Sequence, residues 1–256
     1  MADRLDKTIV ERGLSATRER AQGLIAAGLV LVDGAQAEKP SQWVEDSSTI
    51  EVTGEALPYV GRGGIKMEAA LRRFRINVRG AICLDVGAST GGFTDCLLQR
   101  GAVRVVAVDV GHDQMAAKLR EDSRVELREG VNARYLTPDQ FDAQFDLIAV
   151  DVSFISLRLI LPALVPIVRP GGHIMALIKP EFEAGRENVG AKGIVRSARV
   201  RQQALDKVLR FSREELGLEV RGWIPSPIAG GSGNREFIAY MRRVESAIPL
   251  DRPENV

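Results

Sequence analysis

Charged residues stand where apolar, strand-like segments of this sequence end. The run from 174 to 178 stops at Lys179, after which Pro180 ends the strand and "EFEAG" predicts a loop. The segment "FDLIAV" is followed by Asp151. Glu236 precedes the last strand-like segment, and Lys66 lies in "GRGGIKMEAALRRF", ahead of the first strand of the same region. A lysine facing water is ordinary, whereas a lysine held in a pocket among carboxylates can bind a substrate or move a proton. These four residues are the candidate catalytic group.

Alternating strand and helix patterns after residue 64 must position that group. The apolar segments are "AICLDVG", "VRVVAVDVG", "VELREG", "FDLIAVDVS" and "GHIMALIK", and helical patterns cover 91–99, 112–119, 156–165 and 197–215. Apolar strands joined by helices indicate a parallel sheet covered on both faces. Two closing strands, "LEVRGWI" and "EFIAYMRR", are close enough in sequence to pair antiparallel. Ligands of such sheets bind at the carboxyl ends of the strands.

A glycine-rich turn, "LDVGASTGGFTD", follows the first strand and opens a helix. Gly87 permits the tight turn, and Gly91 and Gly92 let backbone come close to a ligand. Ser89 replaces the second glycine of the dinucleotide-binding turn, which disfavours close approach of a pyrophosphate and therefore NAD. Asp85 can attract a cation, whereas it would repel a phosphate.

Polar residues also follow the second and third strands. Asp109, about twenty residues after the glycine turn, can bind ribose hydroxyls, and Asn132 in "GVNARYL" can hydrogen-bond an adenine edge. Any one such residue is readily explained as a turn cap. Together with Asp85, these residues make three at successive strands of one sheet, and such a set favours a nucleoside-containing ligand.

Seven strands with an antiparallel last strand resemble the Rossmann-like class of S-adenosylmethionine-dependent methyltransferases. The resemblance implies S-adenosyl-L-methionine as the cofactor. It is held by residues of the glycine turn and of the next two strand ends: Asp85, Gly87, Ser89, Gly91, Gly92, Phe93, Thr94, Asp109 and Asn132. The (N/D)-P-P-(Y/F) cluster of amino-group methyltransferases is missing at Asp151. Neither Cys83 nor Cys96 is placed to serve as the nucleophile of a cytosine-carbon methyltransferase.

The candidate catalytic group matches a known tetrad. Lys66, Asp151, Lys179 and Glu236 resemble, in order and context, the K-D-K-E tetrad of FtsJ-like ribose 2′-O-methyltransferases. The phrases "PYVGRGGIKMEAAL", "DVGASTGGFTDCLLQRGA", "VDVSFISL", "IKPEFEAG" and "GSGNREF" resemble the TlyA family, also called hemolysin A. The resemblance covers nearly the whole chain and implies methylation of cytidine ribose in 16S and/or 23S ribosomal RNA. His112 departs from the family, where this position is often aromatic.

The tetrad suits this chemistry because a ribose 2′-hydroxyl is a very weak acid, and a positioned base must take its proton during in-line attack. Lys179 is predicted to be that base or a group that steers the hydroxyl. Burial and the nearby Lys66 favour loss of the proton on Lys179, whereas Asp151 and Glu236 favour its retention. The sequence leaves the resulting charge open.

The first part of the chain has a different pattern. "LSATRERAQGLIAAG" predicts a helix capped by Ser15 and ended by Gly28, while "LVLVDG" and "STIEVTG" predict strands, the first running into an Asp-Gly turn. This part resembles the small RNA-binding domain shared by ribosomal protein S4, pseudouridine synthases and tyrosyl-tRNA synthetases. We predict an S4-like α+β domain over 1–56, a linker over 57–63, a methyltransferase domain over 64–245 and a disordered tail over 246–256.

Charge patterns indicate where RNA would bind. The S4 resemblance implies an RNA face formed by Arg4, Lys7, Arg12, Arg18 and Arg20, although residues 1–60 contain six Lys/Arg and ten Asp/Glu. Residues 62–79 carry six basic residues and one acid, and residues 186–213 carry eight and two. The candidate phosphate contacts there are Arg62, Arg186, Arg196, Arg199 and Arg201.

Composition sets the remaining bounds. The 256 residues have a net charge of +1, two cysteines, no metal-ligand spacing and no apolar span or signal-like start. A cytoplasmic protein without a metal or a membrane partner is expected. Two alternatives stay open. One is a non-catalytic RNA-binding assembly factor. The other is a membrane-active hemolysin, which is disfavoured because the sequence lacks a secretion signal, a membrane-spanning segment and a strong apolar amphipathic helix. The target nucleotide, the subunit and the oligomeric state are not determined by the sequence.

Overall fold

The computed structural model describes residues 2–15, 17–26, 28–53 and 58–244, and it divides the chain into two compact units, residues 1–64 and 65–256. The predicted tail over 246–256 and the first residue of the predicted linker lie outside the described residues. The division falls one residue beyond the predicted linker, whose bounds stay a prediction.

The first unit is a small α+β domain. Its elements are β1 Asp3–Arg4, α1 Leu5–Glu11, α2 Arg18–Ala26, β2 Val30–Val32, β3 Ala35–Gln36, β4 Trp43–Val44 and β5 Ile50–Val52. β2 lies between β3 and β5 in an antiparallel sheet, and β1 pairs with β4. One face of each helix packs into a core that contains Leu5, Ile9, Ala21, Leu24 and Ile25.

The predicted Asp-Gly hairpin is confirmed, but the predicted helix cap is wrong. Asp33 and Gly34 join β2 to β3 with φ angles of +52° and +80°, as a tight turn between twisted strands requires. α2 begins at Arg18, so Ser15 lies too far upstream to cap it. Instead, Thr17 Oγ1 accepts a hydrogen bond from the Arg20 N–H at 3.2 Å.

A buried carboxylate joins the two helices of this unit. Asp6 is fully buried and accepts hydrogen bonds from both Arg4 (3.1 Å) and Arg18 (2.9 Å), and from Gln22 (2.7 Å). The bond from Arg4, with those from Gln22 and Arg18, holds the pKa of Asp6 well below its usual range despite burial. Two of the five cations of the predicted RNA face, Arg4 and Arg18, therefore share one internal anion.

The second unit alternates strands and helices. Its elements are α3 Gly63–Phe74, which begins at the division, β6 Ile82–Val86, α4 Gly92–Gln99, β7 Arg104–Val108, α5 Ala117–Arg120, β8 Val125–Arg128, β9 Phe145–Val150, α6 Leu157–Leu164, β10 Val168–Ile178, α7 Pro180–Glu183, α8 Ala198–Glu214, β11 Leu218–Pro225 and β12 Phe237–Arg243.

These strands form one seven-stranded sheet in the order β11-β12-β10-β9-β6-β7-β8, which confirms the predicted fold class. β12 runs antiparallel to both of its neighbours, and the other pairs are parallel. The carboxyl ends of β9 and β10 and the start of β12 therefore share one edge of the sheet. That topology brings Asp151, Lys179 and Glu236 to the same edge.

Two local predictions differ from the structure. The helix predicted over 112–119 is present only as α5. The segment before α5 turns around the Asp109 carboxylate, which accepts a hydrogen bond from the Gly111 N–H at 2.7 Å. The segment after Lys179, predicted as a loop, contains α7, whose first residue is Pro180. Proline suits this position because its fixed φ is helical and the first N–H of a helix has no internal partner.

Replacing Asp6 by asparagine should loosen the first unit by about 2 kcal/mol, because two charge-assisted hydrogen bonds weaken. A depressed pKa means that the carboxylate stabilises the fold at pH values above its ordinary pKa. This advantage should shrink as the pH falls below about 4. Hydrogen exchange of the α1 amides in the full chain measures the effect. Glu38→Gln, which removes an exposed carboxylate, is the control, and equal protection in both variants would contradict the expectation.

Candidate active site

The glycine turn between β6 and α4 is shaped by backbone that only glycine adopts easily. Gly87 has φ +85°, and a Cβ there would lie 2.4 Å from the Asp151 carbonyl oxygen. Gly91 has φ +92°, and a Cβ there would lie 2.3 Å from Leu119. Ser89 has φ +46°, and its N–H donates to Asp109 at 2.7 Å. Both glycines are therefore required by close contacts as well as by φ.

Asp85, on β6, fixes this turn through hydrogen bonds with Thr94 on α4. Its side chain is fully buried, and Oδ2 accepts hydrogen bonds from the Thr94 N–H (2.9 Å) and hydroxyl (2.7 Å). Oδ1 is buried, and it has no hydrogen-bond partner among the residues that the structure describes. Burial, with Asp151 and Asp109 as like charges, raises the pKa of Asp85 to about 7 despite the bonds from Thr94. Gly92, Phe93 and Thr94 are buried in the first turn of α4, and contact of these residues with a cofactor stays a prediction.

A cavity of about 420 Å³ opens at the carboxyl ends of the strands, between the glycine turn and the end of β9. Gly87, Ser89, Asp109, Asn132 and Asp151 line it, and its volume is within the range of small-molecule sites. The carboxylate of Asp109 accepts from the Ser89 and Gly111 N–H groups, each at 2.7 Å. Asn132 Oδ1 accepts from the Arg134 N–H at 3.1 Å, so Asn132 also caps a turn.

The four candidate catalytic residues form two lysine–carboxylate pairs. Lys66 Nζ lies 2.6 Å from Glu236 Oε2, and both residues are buried. Lys179 Nζ lies 2.7 Å from Asp151 Oδ1 and donates to the Ser153 hydroxyl at 2.8 Å. The Lys179 side chain is 11% exposed, so it is largely but not fully removed from water.

This arrangement can hold a neutral polar group. A lysine ammonium has three N–H donors, and the contacts of Lys179 with Asp151 and Ser153 leave one for a substrate. Asp151 lines the cavity as well, so the Lys179 pair adjoins the space where a ligand would lie. The Lys66 pair is buried deeper, and it holds Glu236 in place.

Several residues around the tetrad escaped the sequence interpretation. Ser153 contacts Lys179, and Phe154, which lines the cavity, is 92% exposed with φ +64°. Glu181 is half-buried, and burial, followed by the charge of Glu236, raises its pKa. Glu183 accepts from the Ser156 hydroxyl and the Leu157 N–H at the start of α6. The available sequence signal was that Ser153 and Phe154 closely follow Asp151 in "VDVSFISL".

The predicted RNA-binding cations fall into three settings. Lys7 pairs with Asp3 and Glu11, as Arg4 and Arg18 do with Asp6. Arg12 donates to the carbonyls of Glu45, Asp46 and Ser48, which assigns it a structural role. Exposed residues on the surface of the two units are Arg20, Arg62, Arg186, Arg196 and Arg199, whereas Arg201 is partly buried.

Comparison with known proteins agrees with this geometry. Residues 59–243 match the family of FtsJ-like methyltransferases, and residues 3–50 match the S4 domain. The chain belongs to the FtsJ-like methyltransferase family. The match covers the whole sheet and all four residues of the tetrad.

Two relatives and one solved structure are similar to this FtsJ-like methyltransferase over most of its length. The Bacillus subtilis protein named "Putative rRNA methyltransferase YqxC" is 48% identical, with 93% of this chain and 85% of the relative covered. The 16S/23S rRNA (cytidine-2′-O)-methyltransferase TlyA of Mycobacterium tuberculosis (strain CDC 1551 / Oshkosh) is 45% identical, with 93% and 89% covered. A solved structure, "Putative hemolysin from Streptococcus thermophilus", matches with a TM-score of 0.76 and 45% identity, over 96% of this chain and 90% of the other.

Across 2–15, 17–26, 28–53 and 58–244, no helix of this FtsJ-like methyltransferase is long and apolar enough to cross a membrane.

Gly87→Ala should disrupt the turn more than Gly80→Ala does. Both glycines have positive φ, but a Cβ at position 80 meets no atom within 4 Å. We expect Gly80→Ala to cost about 1–2 kcal/mol of strain, and Gly87→Ala to cost more and to lower methyl transfer at least tenfold (~1.4 kcal/mol). Urea unfolding and methyl-transfer rates measure these effects. Equal behaviour of the two variants would show that the contact with Asp151 is unimportant.

Asp85→Asn should change how stability depends on pH. Because the folded pKa of Asp85 is raised to about 7, the stabilisation present below about pH 4 is lost as the pH rises through 7. Asparagine can still accept from Thr94 but does not ionise. The variant should therefore gain stability relative to wild type between pH 4 and 8, by at most about 4 kcal/mol.

Urea unfolding across this pH range checks the expectation for Asp85. Asp139→Asn, at an exposed position, is the matched control and should leave the profile unchanged. Parallel profiles for wild type and Asp85→Asn would contradict the expected ionisation.

Proposed function

We propose that this protein is an S-adenosylmethionine-dependent methyltransferase that modifies the 2′-hydroxyl of cytidine in ribosomal RNA. The supporting observation is the two lysine–carboxylate contacts, at 2.6 and 2.7 Å, the second of which includes Asp151 of the cavity lining. A hydroxyl acceptor needs such groups because it has to lose a proton during transfer. The names of the relatives supply the ribosomal substrate and the cytidine.

The residues around the cavity fit S-adenosylmethionine. Gly87 lines the cavity without a side chain, and the Asp109 carboxylate at the end of β7 suits ribose hydroxyls. Asp85 and Asp151 add negative charge near the turn, which favours a cationic sulfonium. When bound, the cofactor supplies an electrophilic methyl group.

Lys179 acts on the substrate hydroxyl in this proposal. Asp151 and Ser153 hold the amino group of Lys179 in position. A remaining N–H of Lys179 can donate to the 2′-oxygen, or its lone pair can accept the 2′-hydroxyl hydrogen. In the neutral form Lys179 Nζ takes the hydroxyl proton. In the charged form it orients an oxygen lone pair toward the methyl group, and the proton leaves to solvent. Both forms depend on the same geometry.

Lys66 and Glu236 position the reacting groups in this proposal. Their buried contact fixes Glu236 at the start of β12, next to the end of β10. Glu181 adds a further carboxyl beside Glu236, so the cluster contains three acids and two lysines. Phe154, exposed at the cavity rim, offers a face for stacking the target base.

RNA binding in this proposal uses the S4 domain together with the exposed arginines of the second unit. Arg4, Arg18 and Lys7 lie around α1 and present cations whose orientation carboxylates fix. Arg186, Arg196 and Arg199 follow the Lys179 segment in sequence and are exposed. A ribosomal substrate makes the cytoplasm the expected location.

Mapping of 2′-O-methyl groups by mass spectrometry tests the function. Ribosomal RNA from cells with and without the gene should differ by at least one methylcytidine, and the purified protein with S-adenosylmethionine should restore it. Identical maps together with no transfer in vitro would refute the proposed activity. Retained RNA binding in that case would favour the assembly-factor alternative.

Lys179→Met should lower the methyl-transfer rate at least a hundredfold (~2.7 kcal/mol), because the methionine side chain neither accepts a proton nor orients the hydroxyl. Lys179→Arg, which keeps a permanent cation, separates the two roles: it should retain partial activity only if steering suffices. Single-turnover rates and the affinity for S-adenosylhomocysteine are measured together. Full activity in Lys179→Met with normal cofactor affinity would remove Lys179 from the mechanism.

A further inference from the structure

A second groove lies on the same unit, separate from the cofactor cavity. Its volume is about 450 Å³, and it is lined by the first turns of α8, by the segment after β11 and by the residues at the start of β12. The lining residues that matter here are Arg201, Pro225, Ile228, Arg235, Glu236 and Phe237. Neither the tetrad nor the cofactor accounts for most of them.

The sheet order places this groove next to the reacting groups. β11 ends and β12 begins at the edge where β9 and β10 end, and β10 separates β12 from β9. The cofactor cavity lies on the β9 side of Lys179, and the groove lies on the β12 side. Glu236 belongs to both the groove and the tetrad, so a ligand in the groove would lie beside the Lys66 pair.

The charge of the groove favours an anion. Arg201 is held in place because its Nη1 donates to the carbonyls of Val195 (3.0 Å) and Arg196 (2.7 Å). Arg235 is exposed, and no ion pair engages it within the described part of the chain. Glu236 is the one acid among the lining residues, and its charge is balanced by Lys66 at 2.6 Å. Two cations therefore face the groove without an opposing free carboxylate.

Apart from Gln202 and Ser226, the rest of the groove lining is apolar or aromatic. Phe237 packs edge-to-face on Trp223, with ring centroids 5.4 Å apart, and Trp223 is 40% exposed. Pro225 and Ile228 continue this surface. An anion site beside flat apolar residues matches a nucleotide, whose phosphate requires cations and whose base requires a surface for packing.

We propose that this groove binds the nucleotide adjacent to the target in the RNA chain, with its phosphate on Arg201 and Arg235 and its base against Phe237 and Ile228. The inference rests on the proposed function and extends it to the substrate strand. It assigns Arg235, which the sequence interpretation left out, a role in binding RNA. It also explains why Glu236 has to be neutralised: an unpaired carboxylate there would repel the neighbouring phosphate.

The variant Arg235→Glu tests the groove. Arg213→Glu is the matched control, because Arg213 is exposed in the last turn of α8 and does not line the groove. Binding of ribosomal RNA from cells lacking the gene is measured with S-adenosylhomocysteine over a range of salt concentrations. Arg235→Glu should weaken binding at least tenfold. The milder Arg235→Ala should reduce the slope of log K against log salt by about 0.7 for one lost single-strand phosphate contact. Arg213→Glu should change binding less than threefold.

Steady-state kinetics supply a second readout. Arg235→Ala should raise KM for RNA while kcat and the affinity for S-adenosylhomocysteine stay within about twofold, because the residue contacts a neighbouring nucleotide and not the reacting atoms. Equal affinity and salt slope for wild type and Arg235→Glu would overturn the groove assignment. Failure of the wild-type protein to transfer methyl, with the binding difference intact, would instead overturn the proposed function alone.

Discussion

The proposed catalytic arrangement depends on one buried ion pair between residues 170 positions apart in the chain. Lys66 on α3 and Glu236 before β12 meet at 2.6 Å with little exposure to water. Removing one partner of such a pair leaves a desolvated charge and costs about 3–5 kcal/mol. Both residues are therefore constrained together, and the start of β12 is held beside the end of β10.

The second constraint is the crowding of negative charge at the strand ends. Asp85, Asp109 and Asp151 converge near the glycine turn, and the raised pKa of Asp85 reflects burial first and these neighbours second. Lys179 offsets the charge of Asp151 at the cavity. In the proposed function, a cationic cofactor reduces the repulsion further, so the charges that crowd the turn favour its binding. Stability and ligand affinity are linked through one group of carboxylates.

In the first unit, cations surround a single buried carboxylate, whereas carboxylates crowd together at the strand ends of the second unit. The buried carboxylate, Asp6, gathers cations that are needed at the surface. Arg4 and Arg18 keep part of their side chains exposed while their orientation is fixed. A domain with more acids than bases in its sequence can thus present an ordered set of cations, because the acid that orders them is hidden from the RNA.

The sequence by itself determined the strand ends, the glycine turn, the Asp-Gly hairpin and the four charged residues of the tetrad, because each follows from local periodicity or from a motif with a fixed context. Tertiary structure decided the rest. Glu183 caps α6 from 26 positions downstream, Glu181 comes to lie near Glu236, and the groove with Arg201 and Arg235 forms between segments distant in the chain. α5 was shortened by hydrogen bonds to Asp109, and α2 begins after Thr17 instead of Ser15. These outcomes depend on which polar groups are buried together, and burial is a property of the packed chain that no local pattern contains.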